Sequence, residues 1–344
     1  MPNKLPGYLT LSLLALILLA LLSLYMGVYR FEGGALWQIG LQFFRDSGSV
    51  TPGDRYVLFF IRLPRIVMAI LIGSALAVSG TCLQGMFKNP LATPSLVGVT
   101  SGASLFAAVA IVLGGSIRSY LPEALQYFLI SIMAFVGAIL TMTFVYRMST
   151  SNGKTNVVVM LLAGVAISAL AGAITGFLTY LTKEEQLRDL TFWTLGSLGG
   201  ASWTKDAILA VLIFMSYLFL ITKGKALNAL MLGEKDAAHI GIPVEQIKKR
   251  IIILTALMVG ACVAFAGGIG FVGLIVPYIL RLIFKSNYHI ILPLSAVVGS
   301  ILLLCADTVS RTIVAPSEIP IGVLTAFMGA PVFIAILIRF KKSI

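Results

Sequence analysis

Apolar runs of about 20 residues, the length that crosses a bilayer as helix, follow one another along the chain, separated by short polar stretches. Backbone groups in lipid must be satisfied within the segment, which favours helices. The strict alternation of a membrane barrel strand is not the pattern here. Ten spans are expected: 8–29, 64–85, 95–114, 124–146, 157–181, 206–222, 251–268, 271–285, 290–309 and 320–338. The first run is too long for a signal peptide core and no small-residue cleavage site follows it, so it is expected to be a retained helix. The fold class is therefore all-α and polytopic, with 1–344 as a single transmembrane domain.

The longest polar interruption of the second half is 223–250, KGKALNALMLGEKDAAHIGIPVEQIKKR. Ala226–Leu232 reads as a short helix stopped by Gly233, and Glu234–Ile240 as a second stopped by Gly241. Pro243 can open a third, since proline is tolerated in a first helical turn. Leu227, Leu230 and Met231 share one face of the first piece. Ala237 and Ala238 are small residues where another backbone can approach. The segment reads as a solvated loop or as a pair of short helices that dock a partner.

Composition supports the membrane reading. Hydrophobic residues make up 59% and charged residues 11%, with mean hydropathy +1.01, against about 25% charged in soluble domains. With the N-terminus placed in the cytoplasm, only Lys183 and Lys205 among the lysines fall outside, as the positive-inside rule requires. Both termini are then cytoplasmic. The net charge of +12 suits an anionic lipid surface and calls for no nucleic acid. Cys82, Cys262 and Cys305 lie within spans at no metal-ligand spacing, and His239 and His289 are far apart, so no metal site is expected.

Arg62 and Arg65 stand at the mouth of the second span, with Pro64 between them. They read either as snorkelling side chains or as fixed cations offered outward to an acidic partner. Asp307 and Arg311 are four apart and able to pair. Pro90 and Pro94 forbid one continuous helix through 84–104. In the fifth span Gly164, Ser168, Gly172 and Gly176 recur every four residues, which allows close helix contact or lines a passage. Residues 187–203, LRDLTFWTLGSLGGASW, read as an interfacial stretch carrying Phe192, Trp193 and Trp203. Gly153-Lys154-Thr155 ends like a phosphate loop, but Met148 stands where that motif needs glycine. Any ATP chemistry must then lie on another chain. Gly73, Gly80 and Pro90 match Gly260, Gly267 and Pro277 at one offset; with the second span running inward and the seventh outward, that would be an inverted repeat.

Six stretches together carry a resemblance: RLPR (62–65), NPLATP (89–94), LGEKDAAHIGI (232–242), GGIGFVGLIVP (267–277), ADTVSR (306–311) and EIPIGVLTAFMGAPVF (318–333). The chain resembles the FecCD family over roughly 55–340. These are permease subunits of binding-protein-dependent ABC importers for ferric siderophores, heme and vitamin B12. The resemblance implies a transport subunit without catalytic residues, a homodimer of ten-helix subunits (a type II importer permease), and a bacterial cytoplasmic-membrane location. It implies two ATPase subunits on the cytoplasmic side, carrying ATP and Mg, and an extracytoplasmic binding protein. It puts ATPase coupling at Leu232, Gly233, Glu234, Ala237, Ala238 and Gly241. It puts binding-protein docking at Arg62, Arg65 and Arg311, and a passage along the dimer axis on the fifth and tenth spans, with Gly164, Ser168, Gly172, Gly176 and Trp193. No resident cofactor is implied. The stretch 187–203 looks most like heme-type members, with siderophore-type and then corrinoid-type members as alternatives. A secondary transporter is the distant alternative; it would show ionisable residues at mid-membrane depth.

Overall fold

The computed structural model describes residues 5–29, 31, 51–115 and 120–341. Its helices are α1 (Leu5–Tyr25), α2 (Pro52–Phe87), α3 (Val99–Leu113), α4 (Glu123–Ser149), α5 (Val157–Tyr180), α6 (Glu184–Leu195), α7 (Trp203–Ile221), α8 (Gly224–Leu232), α9 (Glu234–His239), α10 (Val244–Ala266), α11 (Val272–Phe284), α12 (Tyr288–Ser310) and α13 (Ile321–Lys341). A two-residue hairpin, β1 (Thr150–Ser151) and β2 (Lys154–Thr155), joins α4 to α5. Among the described residues eight helices are long and apolar enough to cross a membrane, and α3 and α11 are shorter apolar helices. These ten match the ten expected spans.

The boundaries shift where local chemistry decides them. The second span does not begin at Pro64. It runs back to Pro52, and the turn before the proline, Val57–Arg62, is π-helical, with Leu63 N–H bonded to Leu58 O. That wider turn accommodates a residue lacking an N–H donor. At the other end α2 stops at Lys88, in the left-handed region at φ 50°, and Pro94–Val97 forms a 3-10 turn before Gly98 at φ 87°. The prolines break the helix as expected. The interfacial stretch is helical only over Glu184–Leu195 and ends at Gly196.

Helix α2 is the centre of the bundle and packs on α12, α11, α10 and α7. Two glycines make this possible. A Cβ on Gly73 would overlap the Gly299 carbonyl of α12, and one on Gly80 the Gly273 carbonyl of α11. The repeat is partly visible in the packing. Gly73 of α2 faces α12, and its echo Gly260 of α10 faces Ala138 of α4, as an exchange of halves requires. Gly267 has no such counterpart contact; it abuts Trp193 O.

Candidate coupling surface and passage

The two short helices form where their glycines allow. Gly233 sits at φ 152° between α8 and α9, and Gly241 at φ 84° before α10, conformations that favour glycine. Leu227 and Leu230 of α8 are buried. Asn228 Oδ1 accepts the Tyr288 N–H at 2.9 Å, and Gly85 of α2 closes on Tyr288 and Leu227. The pair is thus fixed to α2 and α12 on its inner side. Its outer side shows Leu232 at 74% and Ile240 at 65% exposure, with Glu234, Lys235, Asp236, Ala238 and Gly241 also exposed. Apolar residues beside charges on a short helix outside the spans suit a protein partner. The two alanines part company: Ala238 is exposed, whereas Ala237 is fully buried. The expectation that both stand on the docking face is corrected, because α9 is a short helix lying on α10 and α8 and the turn of about 100° per residue carries Ala237 into that contact and Ala238 out of it.

At the opposite end of the bundle the three arginines turn inward. Arg65 Nε bonds both oxygens of Asp307, at 2.9 and 3.2 Å. Its Nη1 and Nη2 donate to Glu318 at 2.7 and 2.9 Å, a bidentate pairing that the planar guanidinium favours. Arg311 Nε stands 3.6 Å from the second Asp307 oxygen, close enough to attract but beyond a hydrogen bond, and its Nη2 donates to Ser23 O at 2.6 Å and to Ser23 Oγ. Burial pulls the Arg311 pKa down and Asp307 pulls it back up; an arginine stays charged throughout. Arg62 donates to the carbonyls of Leu24, Tyr25 and Tyr29 and lies over the Phe31 ring at 4.5 Å. It thereby serves carbonyls that the end of α1 leaves without helical partners. Arg62, Arg65 and Arg311 are 3%, 7% and 5% exposed. The expectation of cations presented outward is therefore corrected. A guanidinium near the end of a span finds better partners in buried carboxylates and orphan carbonyls than in display. The pairing of Asp307 with Arg311 is present as expected.

The ladder of α5 also divides. A Cβ on Gly164 would overlap the Leu96 carbonyl, so this glycine serves packing within the subunit. Ser168 Oγ is buried without a partner among the described residues and lies near Gly98. Gly172 and Gly176 face open space. Trp193 is partly buried against the core. Sequence reading missed a cleft of about 600 Å³, whose lining includes Thr194, Gly268, Gly322, Phe327, Ala330 and Ile334. Backbone bonds build it: Ser197 N–H to Ala266 O at 2.9 Å and Ile321 N–H to Gly196 O at 3.2 Å draw the end of α6 between α10 and α13. Gly267, Gly268 and Gly322 are glycines because a Cβ at each would strike the 193–195 backbone. The only advance signal was glycines clustered in two separate motifs. The cleft is almost wholly apolar, and none of its lining side chains carries a charge.

Comparison with known proteins agrees with this geometry. A model of the FecCD transport family matches residues 15–339. The chain is 39% identical over 342 residues to the hemin transport system permease protein HmuU of Yersinia pestis, covering 99% of this chain and 97% of that protein. It is 40% identical over 278 residues to the cobalamin import system permease protein BtuC of Halobacterium salinarum, covering 80% and 72%. A solved inward-facing structure of a metal-chelate type ABC transporter superposes with TM-score 0.82 at 30% identity, covering 98% of this chain and all of that one. The chain belongs to the FecCD transport family: it is a multi-pass membrane permease of the ABC importer type, and not an enzyme.

Proposed function

We propose that the chain is the permease through which an ABC importer passes heme into the bacterial cytoplasm. The observation that carries the substrate is the 39% identity, over 99% of the chain, to a hemin permease. The apolar cleft against α13 supports it, since heme presents a broad apolar face and a site meant to release its cargo should bind weakly. The working unit is a homodimer, a reading supported by the uncovered apolar face of α13, where Phe327 is 74% and Ile334 56% exposed. Two ATPase subunits, which carry ATP and Mg, dock on α8 and α9 through Leu232, Ala238, Ile240 and Gly241. The binding protein docks at the end that carries Glu318, outside the cell membrane, and both termini are cytoplasmic. The permease does no bond chemistry. It offers two conformations whose balance its partners shift.

A corrinoid is the second reading, favoured by the 40% match to a cobalamin permease. The test is a competition in vesicles holding the permease, its ATPase and its binding protein. Heme should accumulate, with excess cyanocobalamin or ferric siderophore leaving the rate unchanged. Accumulation of either competitor with none of heme would overturn the substrate and leave the importer reading standing.

A further inference from the structure

In the sequence, Gly153-Lys154-Thr155 is only a failed phosphate loop, and Lys248 is one of three successive cations with Lys249 and Arg250. The structure joins these two places. Lys248 is 1% exposed, whereas Lys249 and Arg250 are exposed. Its Nζ donates to Glu234 Oε2 at 2.6 Å, to Glu245 Oε1 at 3.1 Å and to the Thr155 carbonyl at 3.1 Å. An ammonium has three donors and no acceptor, so its capacity is fully used. Glu245 Oε2 in turn accepts the Thr155 N–H at 2.9 Å. A buried charge is tolerated only when paired and hydrogen-bonded in this way.

The partners belong to three different elements. Glu234 opens α9, Glu245 lies in the first turn of α10, and Thr155 closes β2. Thr155 immediately precedes Asn156, whose Oδ1 caps α5 by accepting the N–H groups of Val158 and Val159. The hairpin itself is closed: Thr150 pairs with Thr155, and Asn156 N–H bonds Ser149 O at 2.8 Å. A displacement of Thr155 therefore carries the end of α4 and the start of α5 together.

We propose that Lys248 is a positioning residue for transport, the joint that passes movement of α9 to the hairpin and so to α5. The proposal rests on the reading of α8 and α9 as the ATPase-docking element. Its logic is serial: Glu234 holds the α9 side of the joint, Lys248 is the hub, and Glu245 with Thr155 holds the hairpin side. The hairpin is gripped through backbone atoms, which is why no side-chain motif announces it.

The test uses the full complex in vesicles, with ATPase and binding protein, and whichever of heme or cyanocobalamin the unmodified complex moves. Glu234→Gln loosens the α9 side and Glu245→Gln the hairpin side, each without changing shape. Lys248→Met can fail to fold, so the carboxamide variants carry the test. For Glu245→Gln, away from the docking side, ATPase co-purification, ATP hydrolysis and thermal stability should stay close to the unmodified complex, whereas Glu234→Gln, on the docking side, is read only through the substrate moved per ATP hydrolysed. Substrate moved per ATP should fall roughly tenfold, within the 5- to 150-fold range of ordinary coupling between sites. Because the links are in series, Glu234→Gln/Glu245→Gln, measured on monodisperse complex since it leaves the buried Lys248 without a carboxylate, should lose no more of the ratio than the worse single variant. An unchanged ratio, with or without lower thermal stability, would make Lys248 a structural residue only and overturn the proposal; so would losses that multiply in the double variant. Ala238→Trp separates the two readings. If it uncouples transport while both carboxamide variants keep the full ratio, only the Lys248 joint fails. If it leaves ATPase association and transport intact, the docking assignment fails and takes the joint with it.

Discussion

Replacing Arg65 with methionine tests the buried ion network quantitatively. Asp307 is fully buried and receives two hydrogen bonds from Arg65 Nε, at 2.9 and 3.2 Å, while Arg311 Nε is at 3.6 Å. Without Arg65 the carboxylate keeps only the longer contact. Removing one partner of a buried pair costs about 3–5 kcal/mol. The other arm differs, because the Glu318 side chain is 42% exposed and solvent screens it, so Glu318→Gln should cost under about 1 kcal/mol. At roughly 2 °C per kcal/mol, the lower end for large chains, Arg65→Met should lower Tm by about 6–10 °C and Glu318→Gln by less than about 2 °C. The assay is thermal unfolding of the purified permease in detergent, followed by loss of monodisperse protein at one fixed heating rate. Equal shifts for the two variants would refute the view that Arg65 is a structural residue anchored on Asp307.

Three further outcomes follow from the packing. Gly80→Ala places a Cβ on the Gly273 carbonyl and should cost about 1–3 kcal/mol by overpacking, whereas Gly172→Ala, facing open space, should leave yield and Tm unchanged. Ala238→Trp should express normally yet lose transport in vesicles, while Ala237→Trp, at a fully buried site, should lower Tm and yield first. Gly172→Phe should block movement of the cargo, proposed to be heme, while sparing Tm, and Gly164→Phe, against the Leu96 carbonyl, should fail to assemble; equal stability in the two would mean the α5 ladder is one continuous face.

What was legible in advance was whatever depends on neighbours in sequence. Run length placed the ten spans, and Gly233 and Gly241 fixed the limits of α8 and α9, because turn chemistry is local. Whatever depends on partners far along the chain was not legible. Arg65 looks like an interfacial cation until Asp307 and Glu318, more than 240 residues away, arrive beside it. Gly164 and Gly172 are the same residue at the same spacing, and only the approach of the 96–97 turn distinguishes them. Ala237 and Ala238 are indistinguishable as letters; the seating of a short helix decides which one faces outward. Lys248 left one trace, Glu245 three residues before it on a helix, but that spacing alone does not bury a lysine. The cleft at α13 depends on three backbones meeting at glycines from separate motifs, and no single stretch encodes it.

The most direct test of the importer reading is the energy source of uptake. Vesicles holding the permease with its ATPase and heme-loaded binding protein should accumulate heme on ATP addition, at an undiminished rate when a protonophore is present. Accumulation should stop when the ATPase carries a hydrolysis-dead substitution. Heme entry that persists with the dead ATPase, or that collapses with the proton gradient while ATP is still being hydrolysed, would contradict an ABC importer and point to secondary transport.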